Sequence, residues 1–296
     1  MRGLQDIECV LKKLAWMREE RIWPNGLRYL WTDAFGVVLL ASLYDTLKAQ
    51  KYLDEAEWVV AEVNRVLGRK RGIRIGEEPD RDGQYFHYLS MWLYALHVMG
   101  RFNPAYTVEG VALARDIHAR FVVRGRGVLW KMQEDLSGPY PGYGFGALDA
   151  FDGYVSYRLL DAEALAPEIA DMGEIIEATT GDLVISQDLG LGMMLWMTQF
   201  FPKEGWAQLQ RRRSLAMLDR MWMEGYFARE PRLPEVRIAF ANYGVSVGLQ
   251  AVDAMPERVA RLNTYFDSYR SGDEYERAAI THVMACNSHF PGLLLR

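Results

Sequence analysis

Arg28-Tyr29-Leu30-Trp31-Thr32-Asp33-Ala34-Phe35-Gly36-Val37-Val38-Leu39-Leu40-Ala41-Ser42-Leu43 is the stretch on which the fold turns. After a polar start it is apolar nearly all round and contains no breaker. A helix of that kind is buried on most of its faces. The next segment, Tyr52 to Leu67, sets Glu55, Glu57, Glu62 and Arg65 opposite Leu53, Ala56, Val60 and Val63, so it is amphipathic. Gly68 stands where a C-terminal cap is needed. A buried helix joined by a short connection to an amphipathic one is an antiparallel helical hairpin.

The pair recurs along the chain. Apolar helices are predicted over residues 82–99, 146–160, 186–201 and 238–253, each followed by an amphipathic partner over 105–121, 166–178, 204–224 and 257–270. One apolar helix, 275–289, has no successor, and one amphipathic helix, 4–19, has no predecessor. The latter carries Leu4, Ile7, Val10, Leu11, Leu14 and Met17 at helical spacing. Pairing those two ends completes six hairpins and predicts an all-α fold, an (α/α)6 toroid with inner and outer helix rings, as a single domain over residues 1–296. An open array of helix pairs is the competing architecture. Gly36, Gly144, Gly146, Gly153, Gly190, Gly192, Gly244 and Gly248 sit in or at the inner segments. Glycine weakens a helix by about 1 kcal/mol relative to alanine, so its recurrence implies close backbone approach. Strand signals are few: Val122-Val123 with Val128-Leu129-Trp130 across Gly125-Arg126-Gly127 suit a small hairpin, and Ile73-Arg74-Ile75 an extended crossing piece. Pro139 to Gly146 reads as a rigid aromatic loop.

Chemistry concentrates where the inner helices begin. Asp80-Arg81-Asp82-Gly83-Gln84-Tyr85-Phe86-His87-Tyr88 packs carboxylates, an amide, an imidazole and phenols ahead of an apolar helix. A few convergent polar groups in apolar surroundings are how small-molecule sites are built. The other inner segments begin with Arg28, Trp31 and Asp33; Tyr140, Tyr143, Asp149 and Asp152; Gln187 and Asp188; Arg237, Phe240, Asn242 and Tyr243; and Thr281 and His282. Each acid alone is accounted for as a helix-start residue, and each aromatic as core. Several acids interleaved with aromatics suit sugar chemistry, in which one carboxyl protonates a leaving oxygen and a second activates water or attacks. Asp82 and Asp149 are expected as acid and base, with Asp33 and His87 orienting substrate or shifting a pKa. Arg28, Trp31, Gln84, Tyr85, Tyr143, Asp188 and Asn242 are expected to contact substrate, and Trp130 to offer a stacking face.

Composition narrows the field. Lys plus Arg is 34 against 39 Asp plus Glu, a formal net charge of −5, which argues against a nucleic-acid partner. Two distant cysteines, Cys9 and Cys286, are no disulfide framework and suit a reducing cytoplasm. The first residues lack a signal peptide's apolar core, and no apolar run is expected to reach the roughly 18–20 residues of a membrane span. The expectation is a soluble cytoplasmic protein with a small-molecule partner, a sugar, and neither nucleic acid nor membrane. His282, Cys286 and His289 share one helical face, but they lack a supporting second motif, so no metal is expected. No Walker loop, dinucleotide glycine fingerprint or nucleophile elbow is present, so no cofactor is expected.

Two stretches, Arg28 to Phe35 and Asp80 to Leu89, resemble segments in a group of bacterial proteins of the six-hairpin glycosidase type. Ser186-Gln187-Asp188-Leu189-Gly190-Leu191 is similar to the Asp-centred segment of unsaturated glucuronyl hydrolases. The resemblance implies the α/α toroid and a carbohydrate substrate, and it leaves the reaction open, because that fold also hosts epimerases and resembles toroids found in cyclases. Glycoside hydrolysis by Asp82 and Asp149 is the leading expectation. The alternatives are a sugar epimerase or isomerase with His87 or His282 as base, a cyclase acting on an apolar substrate, and a binding protein without turnover.

Overall fold

The computed structural model describes residues 2–228, 239–268, 272 and 274–295. Among them are α1 (Arg2–Glu19), α2 (Leu30–Leu47), α3 (Gln50–Val66), α4 (Phe86–Gly100), α5 (Ala105–Phe121) and α6 (Asp149–Asp161). There follow α7 (Ala166–Thr179), α8 (Asp188–Thr198), α9 (Gly205–Met223), α10 (Ala239–Ala251), α11 (Pro256–Ser268) and α12 (Ala279–His289). Every helix predicted from periodicity is present, with its ends moved by a few residues. The packing gathers into two compact units, Leu27–Leu183 and the pair of segments Met1–Gly26 and Val184–Arg296.

In the unit Leu27–Leu183, α2, α4 and α6 pack in succession, and α3, α5 and α7 lie against them in turn. The all-round apolar character of α2 is used in full, for it is buried without a break from Leu30 to Leu43. Helix α3 buries one stripe, Tyr52, Leu53, Ala56, Val59, Val60 and Val63, as its period demands. By length and composition α2 is also apolar enough to cross a membrane, but 78% of it is buried inside the structure, as befits a core helix. Gly68 follows α3 as expected of a cap: its N–H donates to the Val63 and Asn64 carbonyls, each at 3.2 Å, and a Cβ there would lie 2.2 Å from the Asn64 oxygen.

Four short strands complete this unit: β1 (Gln84–Tyr85), β2 (Val122–Val123), β3 (Gly127–Val128) and β4 (Lys131–Met132). The expected hairpin is β2 with β3, Val122 facing Val128. The unexpected pair is β1 with β4, Gln84 facing Met132 and Tyr85 facing Lys131. It corrects the predicted start of α4. Residues 82–85 are extended ahead of the helix, and Tyr85 occupies the N-cap position. Asp82 therefore stands in the crossing segment and not at the helix mouth. Ile73 and Ile75 are buried in that segment, where the Leu30 N–H donates to the Ile75 carbonyl at 2.9 Å.

In the other unit, α8 packs on α10 and α10 on α12, with α9 against α8, α11 against α10 and α1 against α12. The chain's first and last helices therefore meet, as the unpaired ends predicted. Trp16 of α1 sets its ring edge-on to His282 of α12, centroids 4.8 Å apart, and Arg277 bonds Glu20 at 2.6 Å. Ile7, Val10, Leu14 and Met17 are the buried stripe of α1. Helices α8 and α10 touch through backbone. A Cβ on Gly192 would lie 2.5 Å from the Gly244 oxygen, and one on Gly248 would lie 2.1 Å from the Gly192 oxygen. Small residues were expected to mark such approach, and here they do.

Candidate functional site

The start of α4 gathers most of the sequence-predicted side chains of its unit. His87 is the second residue of α4, with its side chain 27% exposed. The rings of Trp31, Tyr85, Tyr88 and Trp130 surround it at centroid distances of 6.0, 5.3, 4.7 and 6.2 Å. Tyr143 closes the group, 6.2 Å from Tyr85 and 5.3 Å from Trp130. The hydroxyls of Tyr29 and Tyr88 are 2.6 Å apart.

The tautomer of His87 follows from its hydrogen bond with Trp130. The Trp130 indole N–H donates to Nδ1 at 3.2 Å. An indole nitrogen can only donate, so Nδ1 is the acceptor and the neutral ring carries its proton on Nε2. Asp149 Oδ1 lies 3.8 Å from the same Nδ1. Asp149 opens α6, is buried at 3% exposure, and its Oδ1 has no hydrogen bond among the described residues. Burial pushes this carboxyl's pKa up, and the opposing pull of His87 only partly offsets that. Asp152, one turn on, is raised well above its ordinary value by burial and then by Asp149's charge. Gly146 makes room for the arrangement, since a Cβ there would lie 1.7 Å from Asp149 Oδ2.

The other acids expected in this region are engaged elsewhere. Asp33 is fully buried, pairs with Arg28 at 3.2 Å, and accepts the N–H of Tyr29, the N-cap residue of α2, at 3.2 Å. Arg28 lies over the Trp58 ring, 5.8 Å from its centroid. Asp82 pairs with Arg74 and accepts the N–H groups of Gly76 at 3.2 Å and Gly83 at 2.8 Å. Gln84 is fully buried and accepts from Ile73 N–H at 2.9 Å while donating to the Arg71 and Glu134 carbonyls at 3.0 and 2.8 Å. These groups brace the crossing segment. Asp82→Asn leaves Arg74 facing a neutral amide, so stability should fall by about 2 kcal/mol. Thermal unfolding measures this. An unchanged melting temperature with activity lost would instead place Asp82 in the chemistry.

Asp188 and Asn242 belong to the other unit. Asp188 opens α8, accepts the Leu189 N–H at 2.8 Å and the Tyr226 O–H at 3.1 Å, and has its pKa raised by burial. Asn242 is buried in α10 at 2% exposure. Arg237 lies outside the described residues. His282 is 3.0 Å from the Glu276 carbonyl and His289 is 2.8 Å from Asp267, while burial pushes the Cys286 thiol up to about 12. No three His, Cys, Asp or Glu among the described residues are placed to hold a metal ion.

The residue that sequence reasoning missed is Lys131. It is 2% exposed, and its ammonium lies over Tyr140, Tyr85 and Tyr143 at 4.2, 4.7 and 5.2 Å from the ring centroids. A signal was there: one lysine inside Val128-Leu129-Trp130-Lys131-Met132, an apolar run.

No protein-family model matches the chain, and no curated protein matches it in sequence. Solved structures do. Cellobiose 2-epimerase from Spirochaeta thermophila superposes with a TM-score of 0.61 at 14% identity, covering 90% of this chain and 86% of that one. Cellobiose 2-epimerase from Bacillus thermoamylovorans gives 0.51 at 11% identity, covering 86% of this chain and 74% of that one. Identities this low speak to fold alone, and on that the likeness and the helix pattern agree: the fold is all-α, an α/α toroid of helical hairpins.

Proposed function

We propose that this chain is a sugar epimerase or isomerase that moves a proton at the carbon beside the carbonyl of a reducing sugar. The observation that carries the reading is the His87–Asp149 pair. His87 has its tautomer set by Trp130, and a buried carboxyl with a raised pKa stands behind the same ring nitrogen. Such a pair can load and unload one proton without leaving a charged ring in apolar surroundings. In the Nε2–H tautomer His87 is the acid: once a base on the other face has taken the carbon-bound proton, Nε2–H gives its own to the enediolate carbon, and Asp149 in its protonated form supplies one to Nδ1. In the opposite direction Nε2 takes the carbon-bound proton and Nδ1 returns its own to Asp149. The 3.8 Å gap is longer than a hydrogen bond, and substrate binding would close it. The surrounding Trp and Tyr rings suit the apolar faces of a sugar.

The fold neighbours named as cellobiose 2-epimerases add support for this alternative over hydrolysis. Inverting the carbon next to a sugar carbonyl needs that carbon's proton removed and returned on the other face. Hydrolysis by Asp82 and Asp149 draws less support, because Asp82 already serves Arg74 and two backbone N–H groups.

The test is incubation with cellobiose, other disaccharides with a free reducing end, and their monosaccharides in heavy water. Deuterium should appear at the carbon beside the carbonyl, with the glycosidic bond intact. Release of monosaccharides without carbon-bound deuterium would establish hydrolysis instead.

A further inference from the structure

We propose that Lys131 is a positioning residue of this site: its buried ammonium holds the tyrosine floor beside His87, ties the loop from Glu77 to Asp82 to that floor, and so sets how tightly sugar is held. The claim about sugar rests on the function proposed above; the claim about the loops does not.

The geometry is a cage. Besides the three rings, Nζ donates to the Arg81 carbonyl at 2.5 Å and lies 3.6 Å from Glu77. Backbone register fixes it there, since Lys131 faces Tyr85 across the β1–β4 pair. Gly83 leaves the path for its stem, because a Cβ at that position would meet Lys131 Cε at 3.0 Å and the Met132 oxygen at 2.6 Å. The Tyr140 hydroxyl adds a second tie by donating to the Asp80 carbonyl at 2.8 Å. One cation thus joins two segments far apart in sequence, and it does so next to Tyr85 and Tyr143, the rings that flank His87 and Trp130.

A buried ammonium is costly to desolvate, and aromatic faces and a carbonyl are the partners that offset the cost. With the charge removed, nothing draws the three rings to a common centre, and the loop loses its anchor at Arg81. The chemistry at His87 does not pass through Nζ. Loss of Lys131 should therefore weaken binding and leave the proton-transfer step nearly intact.

Two variants and two measurements test this. Lys131→Met keeps the stem and removes the charge; Lys131→Arg keeps the charge. With whichever sugar exchanges deuterium, Lys131→Met should raise KM about tenfold or more with kcat within about threefold, and Lys131→Arg should recover most of the loss. Hydrogen exchange needs no substrate. The amides of Arg81 and Asp82, bonded to the Glu78 carbonyl, and of Tyr140, bonded to the Lys131 carbonyl, should exchange about tenfold faster in Lys131→Met and at the parent rate in Lys131→Arg. Unchanged exchange in the Met variant overturns the inference whatever the kinetics show. Faster exchange with an unchanged KM overturns it too, as does a fall in kcat alone. If the Met variant does not fold, Lys131→Gln takes its place in both measurements. If the parent turns over no sugar, the functional reading fails by itself, and the exchange result still upholds or overturns the hold on the two loops.

Discussion

His87→Asn should lower kcat/KM for the exchanged sugar by about 10³-fold, within the range that a positioned acid–base group contributes. Asparagine keeps a polar side chain of similar reach and cannot exchange a proton. The loss should fall on kcat with KM little changed, because the surrounding rings, and not the imidazole, supply most of the contact. The fold should tolerate the change: His87 is part-exposed, and the hydrogen bond that its ring accepts from Trp130 is long. Steady-state kinetics and deuterium wash-in, set beside a thermal melt, separate the outcomes. A loss under threefold would remove His87 from the chemistry and leave Asp149 without a purpose for its burial.

Gly248→Ala is the substitution expected to harm stability most. The new methyl would enter the space of the Gly192 backbone, 2.1 Å from its oxygen and 2.7 Å from its Cα. A flexible side chain could move aside, but a helix backbone cannot without carrying α8 away from α10. Overpacking of a core costs typically about 1–3 kcal/mol, and backbone contact belongs at the upper end of that range. Gly192→Ala should behave alike, because its methyl would meet the Gly244 carbonyl. Gly181→Ala is the control, since a Cβ there meets nothing within 4 Å; it should be neutral within about 0.5 kcal/mol. Denaturant midpoints rank the three. Equal midpoints would mean that the two helices can slide apart freely.

The contrast between these two predictions matches what could be seen in the chain alone. The close approach of α8 and α10 was legible because glycine costs an apolar helix stability unless a neighbouring backbone needs the space. The meeting of α1 with α12 was legible because each was left without a partner in an otherwise regular alternation. Both inferences draw on periods repeated over many residues. The site is different. Asp82, Gln84 and His87 are close in sequence and were assigned to one helix mouth, but β1 divides them. The pairing of β1 with β4 joins residues some fifty apart through two positions each, far too short a signal to find by pattern. With that pairing unseen, Asp82 looked like an acid at a helix start and not the partner of Arg74. Lys131 was overlooked for a related reason: a lysine ordinarily means solvent, and only the register opposite Tyr85 takes it inside. The tautomer of His87 depends on Trp130, also brought in by the same strand region.

The unit containing α1 and α12 is made from two segments far apart in sequence, with Leu27–Leu183 lying between them. During synthesis α1 leaves the ribosome on the order of tens of seconds before α12 exists. The intervening unit is continuous and can finish meanwhile. Throughout that wait the stripe of Ile7, Val10, Leu14 and Met17 has no α12 to cover it. The nascent chain is thus exposed to chaperones and to wrong association at α1, and shielding should be needed there until α12 is released.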